Sequence, residues 1–239
     1  MLSVRPWRTE AVIFFVAAQF IFIMAGGVAL TLLQKAGVGG FKDENDLGYL
    51  LIGTLSFQGA TCILMPLFFR FHNVRLSEAL GFNKKRWPLS LVLALGMMIV
   101  VLPVANKLNE WSVALMGRLH WKVEDEMAVS LVLNASSRSA AIYLGFFAVV
   151  LAPVAEEFIF RGMLYPYIKQ LGFPKTAWIV PSLLFALIHG DAAIFIPLFF
   201  LALTLTWLYE TTDCLLAPIF AHALFNTAGL IAIKYANQS

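Results

Sequence analysis

The sequence is poor in charged residues. Only 13% of its 239 residues are Asp, Glu, Lys or Arg, while 60% are hydrophobic; a soluble globular domain has about 25% charged residues. The formal net charge of +3 is small and dispersed over loops, so we expect no nucleic-acid partner. The composition therefore excludes an ordinary soluble domain and predicts an integral membrane protein that contacts the lipid bilayer.

Cysteines and the common hydrolase motifs are also scarce. The two cysteines, Cys62 and Cys214, lie in or beside apolar segments without metal-type spacing, so we expect buried free thiols. No HExxH or GxSxG motif occurs, which excludes a zincin and a serine hydrolase of the nucleophile-elbow type. Asp191 stands alone at a helix end, where we expect it to cap the next helix.

What the sequence does contain is a series of long apolar runs, each suited to a helix crossing about 30 Å of hydrocarbon. The expected spans are Ala11–Leu33, Tyr49–Phe69, Leu89–Ala105, Ala140–Ile168, Ala177–His189, Ala192–Tyr209 and Cys214–Ile233. Two short apolar stretches within 107–138, WSVALMGRL and MAVSLVLNA, are expected to form interfacial helices or one more re-entrant pass. We predict one all-α domain over residues 1–239, a polytopic transmembrane bundle of seven to eight spans.

A few polar residues lie inside these apolar runs. Ionisable groups there cost about 2.5 to 3.5 kcal/mol each on insertion scales, so each one suggests a functional site. The residues are Glu156, Glu157 and Arg161 in the fourth span, His189 at the end of the fifth, and His222 with Asn226 in the seventh.

Helical spacing separates the two adjacent carboxylates. Glu157 and Arg161 are four residues apart with the carboxylate first, the order that best forms an ion pair on one helix face. Glu156 is rotated by about 100° from Glu157. We therefore expect Glu157 to be neutralised and Glu156 to be left as a general base.

The other two helices repeat this spacing. Phe185 and His189 share one face, and so do His222 and Asn226. Three helices could thus bring a carboxylate, two imidazoles and an amide to one point.

Each residue also has a purely structural interpretation. The Glu157–Arg161 pair could only tie helices together, and histidines or Asn226 could form interhelical hydrogen bonds. Their joint occurrence on three otherwise apolar helices favours a site. A proton-coupled transporter is an alternative, although no inverted repeat or paired broken helices point to it; a non-catalytic membrane immunity or assembly factor is another.

Three motifs occur in order on the late spans: EEFIFR (EExxxR), FALIH (FxxxH) and HALFN (HxxxN). Together they resemble the CPBP family, which comprises the CAAX prenyl endoproteases of type 2 and their bacterial relatives. The region that carries the resemblance is about 140–233. The resemblance implies an intramembrane endopeptidase that cleaves a peptide or membrane-protein substrate, and short compact loops favour the bacterial plasma membrane.

The resemblance also implies roles for the motif residues. Glu156 and His189 would activate the attacking water, while His222 and Asn226 would stabilise the oxyanion of the tetrahedral intermediate. Glu157, Arg161 and Phe185 would support them. Glu156, His189 and His222 could alternatively form a three-ligand zinc site with water as the fourth ligand; we favour the metal-free interpretation.

Overall fold

The computed structural model describes residues 6–41, 46–82, 85, 87–120 and 138–236. The helices in these ranges are α1 (Thr9–Lys35), α2 (Leu47–Phe71), α3 (Leu76–Leu80), α4 (Trp87–Arg118), α5 (Arg138–Gln170), α6 (Pro174–Leu187), α7 (Ala192–Thr212) and α8 (Leu216–Ala236). No β-strand occurs in the described ranges. The predicted all-α fold is therefore confirmed.

Five of these helices are long and apolar enough to cross a membrane. Helices α1, α2, α4, α5 and α7 have 21 to 33 residues, and at 1.5 Å per residue each spans roughly 30 Å or more. Many large apolar side chains, such as Phe14 and Ile99, are more than 60% exposed, as expected for surfaces that contact lipid. The chain is thus an integral membrane protein with a polytopic helical bundle, as predicted.

Each of the seven predicted apolar segments coincides with a helix, but one of these helices is short. Helix α6 has 14 residues, whereas α8 has 21, as many as α7. At 1.5 Å per residue, α6 extends only about 21 Å, less than the hydrocarbon thickness. Among the described residues, α6 is therefore too short to cross the hydrocarbon as a straight helix.

Helix α4 extends beyond its predicted end. It continues to Arg118, so the WSVALMGRL stretch is part of this helix and the prediction of an interfacial helix or a re-entrant pass was wrong there. Polar residues such as Asn106 and Lys107 end an apolar run without ending a helix, because they are compatible with helical backbone. The second stretch, MAVSLVLNA, lies outside the described residues.

The α6–α7 connection is longer than predicted. Helix α6 ends at Leu187, so His189 lies in the following turn and not in the helix. The turn is closed by Gly190 with a φ of +72°, in the left-handed region that glycine adopts readily. The predicted cap is confirmed, since the Asp191 Oδ1 accepts a hydrogen bond from the Ala193 backbone N at 2.7 Å.

Both cysteines are thiols outside any disulfide, as expected. Cys214 is buried, but Cys62 is only partly buried, so the expectation of two buried thiols was wrong for Cys62. Cys62 is on the lipid-facing helix α2, next to the exposed Ile63.

Two helices contain wider π-helical turns. The turns are Leu55–Gly59 in α2 and Phe147–Leu151 and Phe158–Leu164 in α5. In α5, Pro153 and Pro166 follow the turns; proline has no N–H and its ring clashes with the carbonyl four residues earlier, which favours a local widening. The two α5 turns flank the acidic pair, and such turns occur frequently at functional sites.

Candidate active site

The innermost part of the site is a buried ion pair within α5. The Arg161 Nη1 donates to the Glu157 Oε1 at 2.8 Å, and the two side chains are only 1% and 0% exposed. The Arg161 Nη2 donates to the Ala202 carbonyl at 2.8 Å, and its Nε to the Thr206 hydroxyl at 3.4 Å. Its guanidinium also lies 4.9 Å from the centre of the Phe185 ring. The structure thus has the pair that the spacing predicts, with α7 providing further acceptors.

His222 of α8 lies between the two carboxylates. Its Nδ1 is 2.9 Å from the Glu157 Oε1, and its Nε2 is 3.9 Å from the Glu156 Oε2. A carboxylate only accepts, so Nδ1 carries a proton towards Glu157. This contact fixes the imidazole plane and directs Nε2 towards Glu156.

Glu156 faces a cavity of about 310 Å³ lined by Phe57, Glu156, Ile188 and His189. Its side chain is 12% exposed. Within the described residues its Oε2 has no hydrogen-bond partner. The structure therefore brings Glu156 and His189 to one cavity and separates Glu156 from the adjacent, paired Glu157.

His189 is oriented by the preceding helix, α6. Its Nδ1 lies 2.7 Å from the Phe185 carbonyl oxygen. A carbonyl only accepts, so Nδ1 donates and Nε2 is left with its lone pair. The Phe185 ring is fully buried, with ring centres 4.9 Å from His189 and 5.5 Å from His222. Phe185 thus separates the two imidazoles by packing between them.

Asn226 contacts the backbone of α5. Its Nδ2 donates to the Ala148 carbonyl at 2.8 Å. At the π-helical turn the Ala152 N–H donates to the Phe147 carbonyl, five residues earlier. With the same offset, the donor for the Ala148 carbonyl would be Pro153, which has no N–H. Asn226 therefore satisfies a carbonyl that the proline leaves without a helical donor.

The cavity does not include every predicted site residue. His222 and Asn226 are not among the described residues that line it. His222 lies behind Glu156, and Asn226 is held by α5.

The structure does not group Glu156, His189 and His222 as ligands of one metal ion. No group of three His, Cys, Asp or Glu side chains in the described ranges has a geometry that could hold a metal ion.

Sequence reasoning missed the residues that complete the site from elsewhere. Phe57 and Ile188 line the cavity, and Thr206 with the Ala202 carbonyl binds Arg161. Phe57 and Ile188 carry no reactive group, and Thr206 is only a hydrogen-bond acceptor for Arg161. The only signal for Phe57 was the polar SFQG stretch inside an apolar span.

The fold and the site define a polytopic helical membrane protein in which a carboxylate and an imidazole share one cavity beside a buried ion pair. Residues 138–228 match the family described as type II CAAX prenyl endopeptidase Rce1-like. The matched segment includes α5 to α7 and the first part of α8, and it therefore contains all three motifs. The comparison therefore confirms the resemblance for this part of the chain.

A bacterial protein is also similar. The chain is 28% identical over 78 residues to the "Putative membrane peptidase YdiL" of Bacillus subtilis (strain 168), and the match covers 33% of this chain and 32% of that protein. The chain thus matches about a third of the length of this relative. No solved structure matches the chain significantly.

Proposed function

We propose that this protein is an endopeptidase that hydrolyses a peptide bond in or near the membrane. The observation that supports this most directly is that Glu156 and His189 line the same cavity. The match of residues 138–228 to an endopeptidase family supports it further.

In the proposed mechanism Glu156 and His189 activate a water molecule in the cavity. The Glu156 side chain lines the cavity and is 12% exposed, so its carboxylate can accept a proton from water. The His189 Nε2 keeps its lone pair because Nδ1 donates to a carbonyl, so it can accept a hydrogen bond from the same water. The resulting nucleophile attacks the scissile carbonyl carbon, and the proton is then given to the leaving amine.

His222 and Asn226 are proposed to stabilise the tetrahedral oxyanion. Glu157 accepts from the His222 Nδ1 and so stabilises a protonated imidazole, as the aspartate of a catalytic triad does. The His222 Nε2–H then points towards the Glu156 side, where the oxyanion forms. Asn226 uses one amide hydrogen on Ala148 and retains a second donor.

Arg161 supports this arrangement without contacting substrate. It neutralises Glu157, and both atoms of the contact are buried. A charge-assisted hydrogen bond in such surroundings holds Glu157 in one orientation. Glu157 in turn orients His222.

We propose that the reaction is metal-free. The described donors form no three-ligand cluster, so the proposed steps use only side chains of this chain. Dialysis against EDTA and 1,10-phenanthroline should leave cleavage unchanged. Loss of cleavage that added Zn²⁺ restores would instead establish a zinc-dependent peptidase.

The experiment that tests the function uses the full chain in phospholipid nanodiscs with a mixture of synthetic apolar peptides, and products are identified by mass spectrometry. Glu156→Gln and His189→Ala should each lower cleavage by at least about 100-fold, as expected for loss of a general base. Glu110→Gln, at an exposed glutamate of α4, is the matched control and should cleave normally. Full turnover by folded Glu156→Gln would contradict the mechanism.

We further propose that the substrate is a peptide or membrane protein and that the protein resides in a bacterial plasma membrane. The similarity to a Bacillus protein supports the location, and the apolar walls of the cavity are consistent with an apolar substrate segment.

A further inference from the structure

One wall of the cavity comes from outside the family region. Phe57, on α2, faces the cavity together with Glu156, Ile188 and His189. The family match begins only at residue 138. Phe57 is therefore a contribution of the N-terminal helices to the proposed active site.

Phe57 lies at the centre of the π-helical turn Leu55–Gly59. A π-helical turn inserts about one extra residue into an α-helix. The side chains that follow it therefore project in a different direction. No proline lies within two residues after this turn, whereas Pro153 and Pro166 lie two residues after the turns of α5. The turn must therefore be stabilised by contacts from other helices.

Gln19 of α1 provides such contacts. Its buried side chain donates from Nε2 to the carbonyls of Phe57, at 3.0 Å, and Ser56, at 3.3 Å. Its Oε1 accepts from the Thr61 hydroxyl at 3.2 Å. All three described bonds of this amide thus go to the turn and to Thr61, two residues after it.

Two further contacts hold the same turn. The Tyr143 hydroxyl of α5 donates to the Thr54 hydroxyl at 2.5 Å, immediately before the turn. On the other side α1 approaches so closely that a Cβ added to Gly26 would lie 1.8 Å from the Ser56 Oγ. The turn is therefore fixed between α1 and α5, the helix that carries Glu156.

We propose that Phe57 determines which side chains are accepted next to the scissile bond, and that Gln19 is the residue that positions it. This rests on the proposed peptidase function. A peptide bond attacked by a water on Glu156 must enter the cavity, so an adjacent side chain contacts the apolar wall formed by Phe57 and Ile188. The cavity, at about 310 Å³, is at the small end of ligand pockets, so the Phe57 ring limits the size of that side chain.

The experiment compares cleavage profiles of the full chain in nanodiscs. The probe is a synthetic peptide mixture in which every natural side chain occurs on either side of each bond. Phe57→Ala should increase cleavage next to Phe, Trp and Leu by roughly tenfold or more relative to cleavage next to Ala, because pockets discriminate by this factor per one or two methylenes. Phe57→Trp should shift the ratio the opposite way. Leu55→Ala, at the 65% exposed residue of the same turn, should keep the wild-type profile.

Gln19→Met tests the positioning role. It removes the amide but keeps the length of the side chain, so the profile should broaden towards bulkier side chains, with a larger change in KM than in kcat. Gln34→Met is the matched control, because the Gln34 amide on α1 donates to the Phe41 carbonyl away from the cavity. A merely structural Gln19 would lower activity towards all peptides equally.

The outcomes separate the two proposals. One outcome is that cleavage depends on Glu156 but Phe57→Ala, Phe57→Trp and wild type have the same cleavage profile. This outcome overturns the inference and leaves the peptidase function intact. If Phe57→Ala does not fold, the Phe57→Trp ratio decides alone. Absence of any Glu156-dependent cleavage by wild type overturns the peptidase function, and the inference with it.

Discussion

The earlier and later membrane-spanning helices differ in how they are buried. In α1, α2 and α4, 28% of the spanning window is buried, compared with 39% in α5 and 50% in α7. Among the described residues, the buried side chains of the earlier helices that are polar carry no charge: Gln19, Gln58, Thr61, Ser90 and Ser112. The later helices and the loop between α7 and α8 hold the buried ionisable ones: Glu157, Arg161, Asp213 and His222.

This difference suggests that the earlier and later helices have different roles. Charges in a low-dielectric interior need partners on several sides, and only the well-packed later helices provide them. The earlier helices contribute hydrogen bonds between neutral groups, which shape the cavity wall. Four substitutions test this comparison, from the largest expected effect to the smallest.

Arg161→Met should destabilise the protein most. It leaves the buried Glu157 carboxylate without its cation, and removal of one partner of a buried pair costs about 3–5 kcal/mol. The free energy of unfolding can be measured by SDS titration in mixed micelles. Lys107→Met breaks an exposed pair with Glu110 and should change stability little. Equal effects of the two substitutions would show that the later helices do not depend on their buried charge.

Gly26→Ala should disturb the earlier helices by overpacking. The new Cβ would meet the Ser56 Oγ at 1.8 Å, and such overpacking costs about 1–3 kcal/mol. Gly27→Ala is its matched control, because a Cβ there meets nothing within 4 Å. Helical propensity predicts a neutral or slightly stabilising effect at Gly27. If both variants unfold at the same temperature as wild type, α1 and α2 are not closely packed at the π-helical turn.

Asn226→Leu should destabilise α5 through its backbone. The Ala148 carbonyl loses its donor, and an unsatisfied buried polar group costs about 1–3 kcal/mol. In a Pro153→Ala background the new N–H can donate to Ala148, so the loss caused by Asn226→Leu should shrink. A double-mutant cycle measures this coupling. Strictly additive losses would mean that the proline is not the reason for the Asn226 contact.

Trp7→Phe should have the smallest effect of the four. It keeps an aromatic ring packed against Phe68 but removes the hydrogen bond from the indole Nε1 to the Gly162 carbonyl. Loss of one neutral hydrogen bond costs about 0.5–1.5 kcal/mol. Thermal unfolding in detergent should show a small decrease in midpoint. A loss as large as that of Arg161→Met would place a main stabilising contact in the N-terminal segment.

Local sequence patterns predicted much of this molecule. The apolar runs gave the positions of seven helices, and i, i+4 spacing predicted the Glu157–Arg161 pair and left Glu156 for a separate environment. These predictions succeed because helical periodicity and ion pairing within one helix depend only on residues a few positions apart. The same reasoning placed Phe185 beside His189.

Contacts between helices could not be read in this way. Hydrophobic patterns do not reveal that Asn226 binds the Ala148 carbonyl, that His222 bonds to Glu157, or that α4 continues past its apolar run. These depend on which elements lie against each other in space and on backbone irregularities near Pro153.

The sequence by itself determined a helical membrane protein, the family motifs and the separate surroundings of the two adjacent glutamates, because composition and helical spacing are local properties of the chain. Only the tertiary structure decided that Phe57, about a hundred residues away from Glu156 in the chain, completes the cavity. The direction of that ring depends on a π-helical turn held by Gln19, and hydrogen bonds between distant segments leave no periodic signal in the sequence.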